Sequence, residues 1–186
     1  MRLFIAIQIP DNIRAAFAEL IQELREVSPR AKWVRAENLH VTLKFLGHTE
    51  PAELDAIKTA LQAIRSTAAV QLQFRGLGFF PNEKRPRVFW AGMQSSDNLA
   101  RLAVDIDQAT HALGFPPDQR PFSPHLTLAR FEPPGISCKL LQKIHAHTER
   151  SFGLQSAAEF QLIESKLKPT GAEYTTVQTV RFAPGG

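Results

Sequence analysis

The feature that most constrains the fold is a four-residue pattern that occurs twice. It reads His40-Val41-Thr42-Leu43 in the first half of the chain and His125-Leu126-Thr127-Leu128 in the second. Polar and apolar residues alternate in both copies, which is typical of a β-strand with one buried face. The histidine and the threonine of each copy, two residues apart, then project from the same face of their strand.

The segments around the two copies follow the same order. Phe4 and Phe89 stand 85 positions apart, and so do His40 and His125. Each half of the chain reads strand, helix, strand, helix, strand, as judged from apolar spacing and helix-capping residues. The predicted strands are 3–7, 39–47, 70–74, 87–93, 123–131 and 158–167, and the predicted helices are 12–27, 51–64, 97–113 and 137–150.

This repeat predicts an α+β fold with two pseudo-symmetric lobes. Each lobe is expected to be a β-sheet with helices packed on its outer side, and a cleft separates the lobes. Lobe one covers about residues 1–86 and lobe two about 87–186, with strands free to exchange between lobes, in a single bilobal domain over 1–186. The segment 75–87, rich in Gly, Pro and charge, predicts a loop at the end of lobe one.

Composition limits the expected binding partners and cellular location. Lys and Arg exceed Asp and Glu by 22 to 18, a mild positive excess that suits a polyanionic partner. Cys138 is the single cysteine, which excludes an intramolecular disulfide and favours a reducing, cytoplasmic location. The sequence has no apolar run near the roughly 20 residues of a membrane helix, so no membrane association is expected.

Two histidines that face each other would meet the needs of displacement at phosphorus. One group must take a proton from the nucleophile, and another must give a proton to the leaving oxygen. Histidine can do either near neutral pH, so His40 and His125 are the candidate catalytic pair. Thr42 and Thr127 can direct hydroxyls at the phosphate oxygens. The pattern itself is symmetric and does not say which histidine is the acid.

The chain resembles the two-histidine phosphoesterase superfamily, which is defined by two His-x-Thr-x motifs. Within it, the chain is similar to the RNA 2',3'-cyclic phosphodiesterase family, also called 2'-5' RNA ligase. The resemblance rests on RLFIAIQIP, WVRAENLHVTLKFLG, RPFSPHLTLARF and SKLKPTGAEYTTV. It implies that His40 is the general acid for the leaving 3' oxygen and His125 the general base for water, with no metal or other cofactor and a 2'-phosphomonoester product. It also implies a reversible, ATP-independent 2'-5' ligase activity.

The resemblance also implies phosphate contacts from Thr42, Thr127 and Arg130. Strict alternation would put Arg130 on the face opposite His125, so its role requires a bend or a strand end there. By the same alternation Phe45 belongs to the apolar face, and Lys44 lies on the His40 face, where it could add positive charge at the cleft. Further candidates for contacts with the RNA backbone or bases are Arg85, Arg87, Arg120, Phe79, Phe80 and Phe122, for which ordinary loop packing is an equal alternative.

The expected partner is RNA ending in a 2',3'-cyclic phosphate, such as tRNA fragments, bound by a monomer. Two alternatives stay open: an enzyme for small nucleotide-derived cyclic phosphates, and a non-catalytic module that binds RNA ends. His145 and His147 resemble a metal pair only superficially, because helical residues two apart do not share a face.

Overall fold

The computed structural model describes residues 1–64, 68–169 and 171–182. The last four residues of the predicted domain, 183–186, lie outside this description. The strands are β1 (Arg2–Gln8), β2 (Lys32–Trp33), β3 (His40–His48), β4 (Val70–Phe80), β5 (Val88–Ser95), β6 (Leu126–Arg130), β7 (Ser151–Ala157), β8 (Glu159–Lys168) and β9 (Gly171–Arg181). The helices are α1 (Asp11–Val27), α2 (Leu54–Gln62), α3 (Asn98–His111) and α4 (Cys138–His145), with 3-10 turns at Ala36–Asn38 and Pro51–Glu53.

Two antiparallel sheets form the body of the protein. Sheet 1 has the order β3-β1-β8-β9, and sheet 2 has the order β2-β6-β5-β4-β7. Strand exchange is extensive, since β4 pairs with β5 and β7, while β8 pairs with β1. The α+β fold with two sheet lobes is confirmed, whereas the division of the chain at residue 86 and the single domain over 1–186 stay predictions.

The helices cover the sheet faces that point away from the cleft. Phe17 of α1 stacks on Phe152 of β7, with ring centroids 4.3 Å apart, and meets Phe74 of β4 edge-on. On the other lobe, α3 contacts β3 and α2 contacts β9. The first helix therefore packs on sheet 2 and the third on sheet 1, so each lobe buries apolar side chains from both halves of the chain.

The loop predicted over 75–87 is wrong in its first half, because β4 continues to Phe80. Gly78 lies opposite Trp90 in the paired strand, and a Cβ at position 78 would overlap the Trp90 ring. This glycine serves close packing within a strand and does not mark a turn.

Three strands were not predicted: β2, β7 and β9. Part of the predicted helix over 137–150 is also wrong, because α4 ends at His145 and β7 begins at Ser151. No helix in the ranges that the structure describes has the length and hydropathy needed to cross a membrane.

Candidate active site

A cavity of about 290 Å³, here called the central cavity, brings the two repeated motifs together. It lies between the sheets and holds His40 and Thr42 from β3 with His125, just before β6, and Thr127 within it. The other lining residues are Arg2, Leu3, Phe4, Val34, Asn38, Phe45, Arg130, Ser165, Leu167, Ala172 and Tyr174. All five site residues predicted from the sequence therefore lie around one cavity.

The two imidazoles are held by the same local contact. Nδ1 of His40 lies 2.7 Å from the carbonyl oxygen of Asn38, and Nδ1 of His125 lies 2.8 Å from that of Ser123. A carbonyl oxygen only accepts hydrogen bonds, so each Nδ1 carries a hydrogen and donates it. Nε2 is then the nitrogen left to accept or release a proton in each ring.

Aromatic rings fix the orientation of both imidazoles. The His40 ring packs against Phe4 and Tyr174, with centroid distances of 4.7 and 5.4 Å. The His125 ring meets the ring of Phe80 edge-on, with their centroids 5.1 Å apart. These contacts hold each ring in one orientation, so its free nitrogen stays directed at one place.

Burial lowers the pKa of His40, and the nearby charge of His125 lowers it further, while the hydrogen bond to the Asn38 carbonyl acts in the opposite direction. A charge on His125 thus disfavours a charge on His40. Burial also raises the pKa of the Tyr174 phenol, against the opposing charges of Arg130 and Arg2. Tyr174 therefore keeps its hydroxyl proton near neutral pH.

A β-bulge follows each threonine. Along β3, Thr42 pairs with Ala6 and Lys44 with Ile5, so Leu43 is the extra residue. A bulge adds one residue to a strand and changes which face the following side chains occupy.

In β6 the extra residue is Leu128, because Thr127 pairs with Trp90 and Ala129 with Phe89. The two bulges thus stand at equivalent positions of the repeat, and both shift the alternation in the same way.

The bulges bring Arg130 and Phe45 to the cavity. Leu128 and Ala129 are both buried, and Arg130 then faces the central cavity, which is the bend that its predicted role required. In the other strand Leu43 and Lys44 are both buried, and Phe45 faces the cavity with 64% of its surface exposed. The prediction that alternation keeps Phe45 with the core is therefore wrong.

The prediction that Lys44 faces the cleft is also wrong. Lys44 is 2% exposed and reaches the opposite way, where its ammonium donates to Asp107 of α3 and to the carbonyl oxygen of Pro116. Burial raises the pKa of Asp107, but hydrogen bonds from Lys44 and from the backbone N–H of Asp118, with the charge of Lys44, outweigh it and leave the pKa lowered. Lys44 thus ties the motif strand of sheet 1 to α3.

Sequence reasoning missed Tyr174, Arg2 and Phe45. Tyr174 lies on β9, a strand whose mostly exposed residues lack an apolar alternation, although it falls within the SKLKPTGAEYTTV segment that carries the resemblance. Of the further candidates, Phe80 contacts His125, while Phe79 is buried. Phe122 packs against the core, and the lining of the central cavity does not include Arg85, Arg87 or Arg120.

Across the described part of the chain, no group of three or more His, Cys, Asp and Glu side chains has the arrangement of a metal site. His145 hydrogen-bonds Glu83 at 3.0 Å, and His147 hydrogen-bonds Glu23 at 2.9 Å. These contacts tie the end of α4 and the turn after it to neighbouring segments.

Two sheets that present a histidine and a threonine each to one cavity define the class of two-histidine phosphoesterases. The chain belongs to the LigT-like phosphoesterase family, whose profile matches residues 7–90 and 92–173. Each matched segment contains one histidine motif, in agreement with the internal repeat.

Relatives and solved structures match along nearly the whole chain. The RNA 2',3'-cyclic phosphodiesterase of Archaeoglobus fulgidus is 34% identical over 174 residues, which cover 94% of this chain and 96% of that protein. A crystal structure of a protein from Thermus thermophilus superposes with a TM-score of 0.82 at 30% identity and covers 100% of both chains. Escherichia coli LigT complexed with 3'-AMP superposes with a TM-score of 0.76 at 26% identity and covers 97% of each chain.

Proposed function

We propose that this chain opens 2',3'-cyclic phosphates at the ends of RNA and leaves a 2'-phosphomonoester. The observation that carries the proposal is the pair of imidazoles, each with Nδ1 bonded to a backbone carbonyl, on the lining of one cavity. Relatives named RNA 2',3'-cyclic phosphodiesterase support this substrate. So does the binding of 3'-AMP by a similar structure.

The reaction requires one proton to be taken and one to be given. Nε2 of His125 accepts a proton from water as the water oxygen bonds to phosphorus. The bond from phosphorus to the 3' oxygen breaks, and protonated His40 gives its Nε2 proton to that oxygen. The 2' oxygen stays bonded to phosphorus. His40 ends neutral and His125 ends protonated, so both return to their starting states by exchange with solvent.

The acid and base roles follow the family resemblance, and the environment of His40 affects its role as the acid. Burial and the charge of His125 lower the pKa of His40 in the free protein. A bound phosphodiester carries a negative charge, which favours the protonated imidazole and raises this pKa again. Substrate binding therefore helps to charge His40 where the proton is needed.

The other cavity residues fit the remaining parts of the substrate. Thr42, Thr127 and the Arg130 guanidinium can donate hydrogen bonds to the non-bridging oxygens, where negative charge grows in the transition state. The exposed ring of Phe45 lines the same cavity as Arg130 and offers a flat surface on which a base can stack.

Ligation uses the same groups with a different nucleophile. A 5'-hydroxyl of a second RNA replaces water, gives its proton to His125 and forms a 2'-5' linkage without ATP. One chain supplies both histidines, so we propose that the protein acts as a monomer. We also propose that it acts in the cytoplasm and that its substrates include tRNA fragments with cyclic phosphate ends.

Purified protein incubated with adenosine 2',3'-cyclic phosphate tests the proposal. We expect adenosine 2'-phosphate as the product, with turnover unchanged by a metal chelator, and faster hydrolysis of an oligonucleotide with the same terminus. A 3'-phosphate product would contradict the assigned leaving oxygen. Tight binding without ring opening would favour the RNA-end binding module, and faster hydrolysis of the mononucleotide would favour the small-substrate enzyme.

A further inference from the structure

A second cavity of about 450 Å³, here called the side cavity, adjoins the central cavity. The two cavities share His40, Asn38, Ala172 and Tyr174 in their linings. The side cavity extends beyond His40 toward the end of β1, where Arg14 of α1 and Arg35 enter its wall. Nothing in the proposed mechanism uses this space.

The chemistry of the ribose sets the direction in which an RNA chain leaves the central cavity. The base is attached at C1', next to the carbon that bears the 2' oxygen. The 5' carbon is attached at C4', next to the carbon that bears the 3' oxygen. In the proposed reaction His40 protonates the 3' oxygen, so the preceding nucleotide continues on the His40 side of the ribose. The side cavity lies on that side.

The position of Phe45 agrees with this direction. Along β3 the chain runs from His40, paired with Gln8, to Phe45, paired with Phe4. The side cavity is lined by Gln8 and His40, whereas the central cavity is lined by Phe4 and Phe45. A base on the Phe45 ring therefore leaves the opposite end of the nucleotide directed at the side cavity.

Both arginines have hydrogen-bond donors to offer. Nη1 of Arg14 donates to Asp11 and Nη2 to the carbonyl oxygen of Ile9, so each of these nitrogens keeps a second hydrogen that has no partner among the described residues, while Nε is buried. Arg35 pairs with Glu37 through Nε, at 2.9 Å. Its two Nη groups have no hydrogen-bond or ion-pair partner within the described ranges. A guanidinium with free donors is well suited to binding phosphate oxygens.

Two carboxylates also line the side cavity, and both have partners. Glu37 forms an ion pair with Arg35, and Glu173 forms one with Lys168 across the β8–β9 hairpin. Asp11, the partner of Arg14, is almost fully exposed, so water can replace Arg14 at low cost. The carboxylates therefore need not repel a phosphate that binds between the two guanidinium groups.

We propose that the side cavity binds the phosphate on the 5' side of the terminal nucleotide, with Arg14 and Arg35 as its ligands. This inference rests on the proposed function, because the direction of the RNA follows from His40 acting at the 3' oxygen. It makes the preferred substrate an RNA end, or a nucleotide that bears a 5'-phosphate, in place of a bare cyclic nucleoside phosphate.

Binding of two product-like ligands tests the site without turnover. Adenosine 2'-phosphate and adenosine 2',5'-bisphosphate differ only in the 5'-phosphate. Calorimetry with the full chain should give about tenfold tighter binding of the bisphosphate, since one charge-assisted contact contributes roughly that factor. The doubly substituted Arg14→Gln, Arg35→Gln protein should bind the two ligands with nearly equal affinity. Equal affinity in the unmodified protein would overturn the inference.

Kinetics gives a second readout. The ratio of kcat/KM for 5'-phosphorylated over unphosphorylated adenosine 2',3'-cyclic phosphate should fall about tenfold in the double variant. Arg75→Gln is the matched control, because Arg75 is a half-exposed arginine in an ion pair with Glu149 and lines neither cavity. A ratio that survives in the double variant would overturn the inference. Absence of ring opening with preserved discrimination in binding would sink the proposed function and leave the phosphate site standing.

Discussion

The two motif strands, β3 and β6, have a β-bulge at the same position of the repeat but different side chains after it. His40 and His125 occupy equivalent places, each with its Nδ1 bonded to the carbonyl two residues earlier. After the bulge, the buried position holds Lys44 in one strand and Ala129 in the other, and the position that faces the cavity holds Phe45 and Arg130.

This difference separates what the repeat must keep from what it can change. The proposed displacement at phosphorus needs an acid and a base, which agrees with the same residue, histidine, at this position in both lobes. After the bulge the residues that face the cavity are a cation in one strand and an aromatic ring in the other, and we propose that the cation contacts the phosphate and the ring contacts a base. The bulge directs both side chains to the central cavity, and the type of each side chain then determines which contact it can make.

Substitution of either histidine should have the largest effect and should be equal for the two strands. His40→Ala and His125→Ala each remove one proton transfer, and kcat/KM should fall by about 1,000-fold or more. The double variant should be little worse than either single one, because the pair acts as a unit. Hydrolysis of adenosine 2',3'-cyclic phosphate measures the rates.

A matched control for this experiment lies on β3. His48, at the end of β3, is exposed and hydrogen-bonds Glu50, and His48→Ala should retain the full rate. A single histidine variant with unreduced turnover would refute the two-histidine mechanism.

Substitution after the bulge should have smaller effects that differ between the strands. Arg130→Gln removes a cation at the phosphate, so kcat should fall by roughly 10- to 100-fold. Phe45→Ala removes a stacking surface, so KM should rise by about tenfold with little change in kcat. Steady-state kinetics separates the two. Identical changes in kcat and KM for both variants would mean that the division between phosphate and base is mistaken.

The buried side of the bulge should affect stability. Lys44→Met keeps the length of the side chain but removes the cation that Asp107 faces, and we expect a loss of about 2 kcal/mol in the free energy of unfolding. Lys32→Met, which removes an exposed pair with Glu132, should change it by much less. Denaturant unfolding measures the free energy of unfolding of both variants. Equal losses would show that the buried pair contributes no more to stability than the exposed pair.

The Lys44–Asp107 pair also predicts the direction in which the stability of the protein changes at low pH. The folded protein lowers the pKa of Asp107 below its unfolded value, so the unfolded chain binds the proton more readily. This carboxylate therefore stabilises the protein above about pH 4, and that contribution is lost as pH falls through the lowered pKa. In the Lys44→Met variant, the free energy of unfolding should therefore decrease less as the pH falls through this range.

The smallest expected effect is a shift between two pH profiles. The profile of kcat/KM reports the free enzyme, in which burial lowers the pKa of His40. The profile of kcat reports the bound state, in which the phosphate anion raises it, so the limb of His40 should move to higher pH. A limb at the same pH in both profiles would indicate that the bound phosphate does not affect the charge of His40.

The two motif strands could be predicted from the sequence because the alternation of polar and apolar residues lies within four consecutive positions. Alternation from His40 to Leu43 and from His125 to Leu128 identifies both strands, and the repeat pairs them. Alternation failed after Leu43, because a bulge inserts a residue without any composition signal. Lys44 and Phe45 were therefore assigned to the wrong faces.

Long-range pairing accounts for most of the other errors. Few residues of β7 and β9 are buried, so local apolar spacing does not mark these strands. The partner of β7 is the distant β4, whereas β9 pairs with the neighbouring β8. Tyr174 could not be placed beside His40 without knowing that β9 follows β8 in sheet 1. The position of Gly78 beneath Trp90 likewise depends on a partner strand.

The exchange of strands has a consequence for synthesis on the ribosome. When residues up to His125 have been made, β1 and β3 exist, but β8 and β9, which complete sheet 1, do not. His40 then lacks the Tyr174 ring, and one edge of β1 is open. Both histidines are therefore made before the strands that complete sheet 1, and the central cavity gains its Tyr174 wall only after β9 has been made.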